Sequence, residues 1–248
     1  MKYFYITDSG SVRDHNEDSV TVVENSCGEY LLAVADGMGG HRAGEIASNI
    51  VINHLTDAFL KNKELGTKEN AIEWLKNTVS DANQLIIEYT TDHEESTGMG
   101  TTIVTALFSK DYLLFGNIGD SSGFVIKNKE LHKITNDHTL VNLLVKSGEL
   151  TEEEAKDHPR KNVLMKALGA TTTVEMDVFD VETDVDGILL CSDGLTNMLE
   201  SEQIMKVLDS DLTIQEKLNK LILKSNNRGG TDNISIAYLA KDGEWVDN

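Results

Sequence analysis

Residues Thr101–Ile134 read TTIVTALFSKDYLLFGNIGDSSGFVIKNKELHKI, and the fold turns on this stretch. It holds strand-like runs at Thr101–Ser109, Tyr112–Ile118, Phe124–Lys127 and Glu130–Ile134, joined by a few residues each. Lys110-Asp111 and Asn128-Lys129 suit hairpin turns, whereas a parallel pair would need a crossover of roughly a dozen residues. An antiparallel sheet is therefore expected. Outward from this stretch, similar runs fall at Lys2–Thr7, Ser19–Val23, Tyr30–Ala35, Val174–Val181, Gly187–Ser192 and Ile234–Leu239. Between them, Ala43–Phe59 and Glu69–Tyr89 carry apolar residues at helical spacing; Ile72, Leu75, Val79, Ala82, Ile86 and Tyr89 form one stripe. Thr151 and Thr213, each followed three residues later by Glu, mark helix starts, and a third start is expected at Ser201. The pattern predicts an α+β fold: a four-layer α-β-β-α sandwich, two packed antiparallel sheets with helices on both outer faces. A single domain over residues 1–248 is expected, with 136–173 as an excursion from the sheet.

The chain has 42 acidic and 22 basic side chains, a formal charge of −20, and no basic run longer than Arg160-Lys161. The electrostatic term that drives nucleic-acid binding has the wrong sign, so neither DNA nor RNA is an expected partner. The longest apolar run, Tyr30–Ala35, is far short of the roughly 20 residues of a membrane helix or the roughly 7–15 of a signal-peptide core. Two cysteines, Cys27 and Cys191, make neither a disulfide scaffold nor a four-thiolate zinc site. A cytoplasmic protein without direct membrane insertion is expected. The few residues after Ile234–Leu239 suggest no appended regulatory or membrane domain.

Apolar strands repeatedly end in acid. Tyr30–Ala35 runs into Asp36-Gly37, Tyr112–Ile118 into Gly119-Asp120, and Gly187–Ser192 into Asp193-Gly194; Asp232 precedes Ile234–Leu239, and Glu17-Asp18 precede Ser19–Val23. Any single Asp-Gly pair is ordinary turn chemistry. Carboxylates gathered at the rim of a core repel one another and lose solvation, so the repetition points to neutralising cations. All-oxygen donors select hard ions, Mg²⁺ or Mn²⁺. Arg13, five residues before Asp18, offers a planar fork matched to a phosphate.

In order along the chain, Arg13–Asp18, Asp36-Gly37-Met38-Gly39-Gly40-His41 with Gly44-Glu45, Gly100-Thr101-Thr102, Gly119-Asp120-Ser121, Asp137–Val141, His158–Asn162, Ser192–Leu195 and Gly229–Ile234 resemble the motifs of metal-dependent type 2C Ser/Thr protein phosphatases, the PPM family, of bacterial type. The resemblance spans Thr7 to Leu239. It implies hydrolysis of phosphoserine and phosphothreonine in proteins by attack of a hydroxide bridging two Mn²⁺ or Mg²⁺ ions. Asp36 would bridge the ions, with Gly37 offering its carbonyl, and Asp193 and Asp232 would complete the first. Glu17 and Asp18 would hold metal-bound waters, Asn233 would orient Asp232, and Asp120 would bind a third, weaker ion shared with Asp193. Arg13 would hold the phosphate oxygens. The substrates would be phosphorylated proteins of a cognate Ser/Thr kinase, and the enzyme is expected to be a monomer.

The chain departs from the family pattern in two places. Met38 stands where some relatives carry a histidine general acid, leaving His41 nearby, and Ser122 replaces the Arg usual after Gly-Asp-Ser. The resemblance also implies that 136–173 is a flap beside the active site, anchored by His138 and His158, with Thr139 and Ser147 near substrate. His54, His93 and His132 read as structural or solvated. A cysteine-based phosphatase would need Arg six residues after Cys191, where Asn197 stands; Asp184-Val185-Asp186 follows polar residues rather than a hydrophobic strand; and no phosphate-cradling Gly-rich loop is present. The alternative from another class is a catalytically inactive relative that binds phosphoproteins as a signalling module.

Overall fold

The structure, a computed structural model, describes residues 1–39 and 43–241. Its strands are β1 (Lys2–Asp8), β2 (Asp18–Glu24), β3 (Tyr30–Met38), β4 (Gly100–Thr101), β5 (Ile103–Phe108), β6 (Leu113–Ile118), β7 (Ser122–Lys127), β8 (Glu130–Lys133), β9 (Asp177–Val181), β10 (Gly187–Cys191) and β11 (Ile234–Ala240). The helices are α1 (Ala43–Lys61), α2 (Lys68–Asp92), α3 (Leu140–Lys146), α4 (Glu152–Lys156), α5 (Asp193–Thr196), α6 (Ser201–Leu208) and α7 (Ile214–Asn227).

One sheet is ordered β1-β11-β10-β7-β8 and the other β2-β3-β5-β6-β9, with β4 beside β3. Every pairing is antiparallel, as the short connections require. At the β7–β8 turn Asn128 and Lys129 both take positive φ, 53° and 62°, the twist a two-residue hairpin needs.

Three apolar clusters separate the layers. Leu31, Ala33 and Ile103 on the β2–β9 sheet pack under Val51, Leu55, Leu75, Val79 and Ile86 of α1 and α2. Leu189, Ile236 and Tyr238 on the other sheet pack under Ile204, Leu208, Leu218 and Leu221 of α6 and α7. Leu32, Val34, Phe115, Leu190 and Leu239 fill the space between the sheets. This is the expected α-β-β-α sandwich. The helix starts also follow their caps: complete capping boxes join Thr151 to Glu154 and Thr213 to Glu216, and Ser201 opens α6 behind a Glu200–Gln203 box.

Several boundaries differ from the sequence expectation: β3 runs on through Asp36 and Gly37 to Met38, β7 starts at Ser122 rather than Phe124, and two further differences have a visible cause. The run expected to be continuous from Thr101 is divided at Thr102, although the register on β3 does not slip: Gly37 faces Thr101 and Val34 faces Val104. The Thr102 hydroxyl accepts the Asp36 N–H at 3.0 Å, taking the place of a ladder carbonyl. β9 starts at Asp177 rather than Val174, because Asn117 is the last residue of β6 to which it pairs.

The antiparallel order gathers strand ends. Asp18 and Asp36 face each other in the β2–β3 register, Asp120 follows β6, Asp193 follows β10 and Asp232 precedes β11, so both sheets deliver carboxylates to one end of the sandwich. Among the described residues no helix is long and apolar enough to cross a membrane.

Candidate active site

At that end lies a cleft of about 280 Å³ lined by Arg13, Glu17, Asp36, Gly37, Asp120, Asp193, Asp232 and Asn233, with Met38, Gly39, Thr102, Asn162 and Leu164. Of the residues expected to hold metal, metal-bound water or phosphate, Asp18 alone is not on the wall; it is buried beneath it. A larger cleft, about 520 Å³ between β8 and α6, has a lining of mixed charge that includes Lys129, Lys206, Glu202 and Asp209, without converging carboxylates.

Each acid is set by its backbone. The Asp36 N–H goes to the Thr102 hydroxyl, and the Asp36 carbonyl accepts from Thr102 N and Thr101 Oγ1, both at 2.9 Å. Gly37 has no room for a side chain, since a Cβ there would collide with the Gly44 and Glu17 carbonyl oxygens, so α1 and the Glu17 loop close tightly on the end of β3. Ser192 Oγ donates to Asp18 Oδ2 at 2.7 Å and accepts the Ser235 N–H at 2.9 Å, linking β10, β11 and β2 beneath the cleft. Asn197, one helical turn beyond Asp193, donates to its Oδ2 at 3.0 Å.

Asn233 touches Asp232 through its backbone: its N–H donates to Asp232 Oδ1 at 2.9 Å. The Asn233 side chain has a different task. Its Oδ1 accepts from Glu17 N, and its Nδ2 donates to the Ser9 and His15 carbonyls, holding the loop that carries Arg13 and Glu17. Arg13 donates from Nη2 to Asp232 Oδ2 at 2.9 Å and from Nε to the Thr231 carbonyl at 3.3 Å.

The carboxylates disturb one another. Burial, followed by the charges of Asp18, Asp193, Asp120 and Asp232, drives the Asp36 carboxyl well above its ordinary range. Burial, against hydrogen bonds from Ser192 and Ser235, pushes Asp18 to about 7. Burial and the Asp193 charge push Asp120 to about 7, and burial with the Asp232 charge pushes Asp193 to about 6. Glu17 is also raised, by burial, against the attraction of Arg13.

The donor set fits hard divalent ions. Among the described residues, Asp18 Oδ1 and Asp193 Oδ1 are buried with no hydrogen-bond partner, so carboxylate oxygens in and beneath the cleft are left unsatisfied. No three His, Cys, Asp or Glu side chains among the described residues close into a cage of protein ligands. The donors that line the cleft are carboxylate oxygens, which suit Mg²⁺ and Mn²⁺ better than zinc.

One wall comes from residues 136–173, the segment expected to be a flap. Asn162 and Leu164 line the cleft, whereas Thr139 and Ser147 do not: the Thr139 hydroxyl caps α3 by accepting the Asn142 N–H, and Ser147 bonds to Glu149. His138 does anchor the segment, accepting the Gly119 N–H and bonding to Asp177; the hydrogen bonds of His158 stay within the flap. Ser122 is buried in β7, facing Cys191, and its hydroxyl has no hydrogen-bond partner among the described residues. His41 lies outside the described residues. Sequence reasoning placed Thr102 and Ser192 within motifs but assigned them no task, and it passed over Asn197, whose signal was an amide one helical turn after an acid.

Comparison with known proteins agrees with this geometry. The profile of a family described as protein phosphatase 2C matches residues 10–222. The chain is 42% identical over 237 residues to a serine/threonine phosphatase, stp, of Listeria monocytogenes, covering 95% of this chain and 94% of that protein. It is 37% identical to the protein phosphatase PhpP of Streptococcus pneumoniae, covering 98% and 99% of the two chains. The solved structure of the S. agalactiae serine/threonine phosphatase superposes with a TM-score of 0.91 at 36% identity, over 97% of this chain and 99% of that one.

Proposed function

From the premise that this chain belongs to the protein phosphatase 2C family and is a protein-serine/threonine phosphatase, we propose that it works through divalent cations held by Asp36, the Gly37 carbonyl, Asp193 and Asp232. Asp120 holds a further, weaker ion with Asp193. Glu17 and Asp18 orient water around the ions, and Asn233 keeps the Arg13–Glu17 loop in place. The observation that carries this reading is the convergence of Asp36, Asp120, Asp193 and Asp232, from two different sheets, on one 280 Å³ cleft. When bound, a pair of Mg²⁺ or Mn²⁺ ions supplies an activated water near neutral pH and neutralises charge as it moves toward the leaving oxygen.

The chain's own residues do the rest. Arg13, half-exposed at the mouth, turns from Asp232 to two phosphate oxygens and aligns phosphorus for in-line displacement of a Ser or Thr oxygen. Acidic walls without cations would repel a phosphate, so the same carboxylates that require the ions make turnover conditional on them. Met38 lines the cleft where some relatives carry histidine, so at that place no imidazole protonates the leaving group.

The substrates are phosphoserine and phosphothreonine proteins made by a cognate Ser/Thr kinase, and the enzyme acts as a cytoplasmic monomer with one catalytic domain and a flap at 136–173. The inactive-module reading has no observation in its favour, because none of the cleft acids is replaced.

The test is turnover of p-nitrophenyl phosphate and a phosphothreonine peptide after chelation, then with Mn²⁺, Mg²⁺ or Ca²⁺ restored. Activity that disappears with chelator and returns with Mn²⁺ is expected. A folded protein without turnover under any of these ions overturns the reading.

A further inference from the structure

Gly119, which precedes the cleft carboxylate Asp120, is tied to His138 at the start of the flap segment by two hydrogen bonds, and Asn117 bridges it to Asn136 by two more. Its N–H donates to His138 Nδ1 at 3.1 Å, and its carbonyl accepts from His138 N at 2.9 Å and Asn117 Nδ2 at 3.2 Å. The same Asn117 Nδ2 reaches the Asn136 carbonyl at 2.9 Å. Because Nδ1 accepts, the ring proton sits on Nε2, which faces Asp177 Oδ2 at 3.1 Å; Lys166 holds the other Asp177 oxygen at 3.2 Å. His138 in turn fixes the return of the flap, since its carbonyl accepts from Met165 N at 2.7 Å, one residue after the cleft-lining Leu164. Gly119 has little freedom to adjust: its φ is +110°, and a Cβ there would stand 2.5 Å from Thr102 Cγ2.

We propose that His138 is a positioning residue that locks the Gly119–Asp120 turn to the root of the flap, so that the Asp120 donor and the flap wall shift as one unit. The inference rests on the metal reading above. Its consequence is reciprocal: cation bound at Asp120 steadies the flap, and a displaced flap weakens that cation. The two tightly held ions, at Asp36, Asp193 and Asp232, share Asp193 with the weak one but do not use Asp120, the donor that the turn carries.

Two substitutions separate the two faces of the ring. In His138→Asn the side-chain oxygen stands where Nδ1 does and still accepts the Gly119 N–H. In His138→Gln the amide reaches toward Asp177 and the acceptor beside Gly119 is lost. The chelator-treated full chain is titrated calorimetrically with Mn²⁺, with Asp120→Asn marking the weak step. The weak step is expected to loosen at least about 10-fold in His138→Gln and to stay within about threefold in His138→Asn, with the tight step unchanged in both. Saturating Mn²⁺ is also expected to slow hydrogen exchange over residues 140–161 in the wild type and in His138→Asn, but not in His138→Gln.

Equal weak-step affinities across all three proteins overturn the proposal, as does equal weakening in both variants. A wild type with no weak step overturns it too. In that case Mn²⁺-dependent turnover of p-nitrophenyl phosphate separates the failure of this coupling from the failure of the phosphatase mechanism.

Discussion

Asp36 enters the cleft from β3, whose residues Tyr30–Ala35 are all buried, whereas Leu164 enters from a flap whose helix α3 buries none of its side chains. The first position is determined many times over, by ladder pairing on two sides, by the apolar layers above and below, and by Thr101 and Thr102. The second depends on a root of a few backbone bonds, the His138 contact and Asn83 of α2, which binds Gly169 and Thr171. Leu143, Val163 and Met165 remain exposed there, although each is large and apolar. The contrast shows what each region is asked to do. Carboxylates that must be held against mutual repulsion sit where displacement would disrupt a core, and the wall formed by Asn162 and Leu164 sits where displacement costs little.

The comparison breaks first on the floor. Asp193→Ala is expected to lower kcat/KM at least about 10³-fold, ~4 kcal/mol, with circular dichroism and thermal unfolding retained. Unchanged turnover would remove Asp193 from the site.

A second effect follows from the raised carboxyls. In the unfolded chain these groups titrate near their ordinary values, around 4. Their folded forms titrate near 7 for Asp18 and Asp120 and near 6 for Asp193. Their contribution to stability is therefore complete below about pH 4 and is lost as pH rises through 6 to 7. Chelator-treated protein is expected to lose on the order of 3 kcal/mol between pH 5 and 8 in urea unfolding, and Mn²⁺ is expected to abolish most of that slope. A metal-free protein with flat stability over this range would mean that the floor is not strained.

The same substitution in the two regions sharpens the contrast. Leu190→Ala, in the layer between the sheets, is expected to cost about 2–5 kcal/mol, whereas Leu143→Ala on α3 should stay within about 0.5 kcal/mol. Comparable losses would show that the flap packs as part of the core.

The smallest effect uses one motif twice. Thr213→Ala removes the cap of the core-packed α7 and should lower global stability by ~1 kcal/mol. Thr151→Ala removes the same box from the five-residue α4 and is expected to increase only local hydrogen exchange.

Much of this was legible in order along the chain. Apolar runs separated by two-residue turns required antiparallel pairing, the stripe on α2 required an apolar surface beneath it, and acids at the ends of buried runs announced a charged rim. Those features are local, so the spacing of residues carries them. The interruption at Thr102 was not legible, because it depends on a hydroxyl from one strand replacing a carbonyl opposite another. Asn233 was expected to orient its neighbour Asp232, and its backbone N–H does bond that carboxylate; what was not legible is that its side chain spans to Ser9, His15 and Glu17, more than 200 residues away in sequence.

By itself, then, the amino-acid sequence determined the layers, the helix starts and which carboxylates end which strands, since each follows from periodicity, turn length or capping within a few residues. Tertiary structure alone decided that Asp18 lies beneath the cleft rather than on its wall, that Arg13 faces Asp232, and that His138 ties the Asp120 turn to the flap. Those outcomes depend on how two sheets stack and where their ends meet, and contacts between residues far apart along the chain leave no period in it.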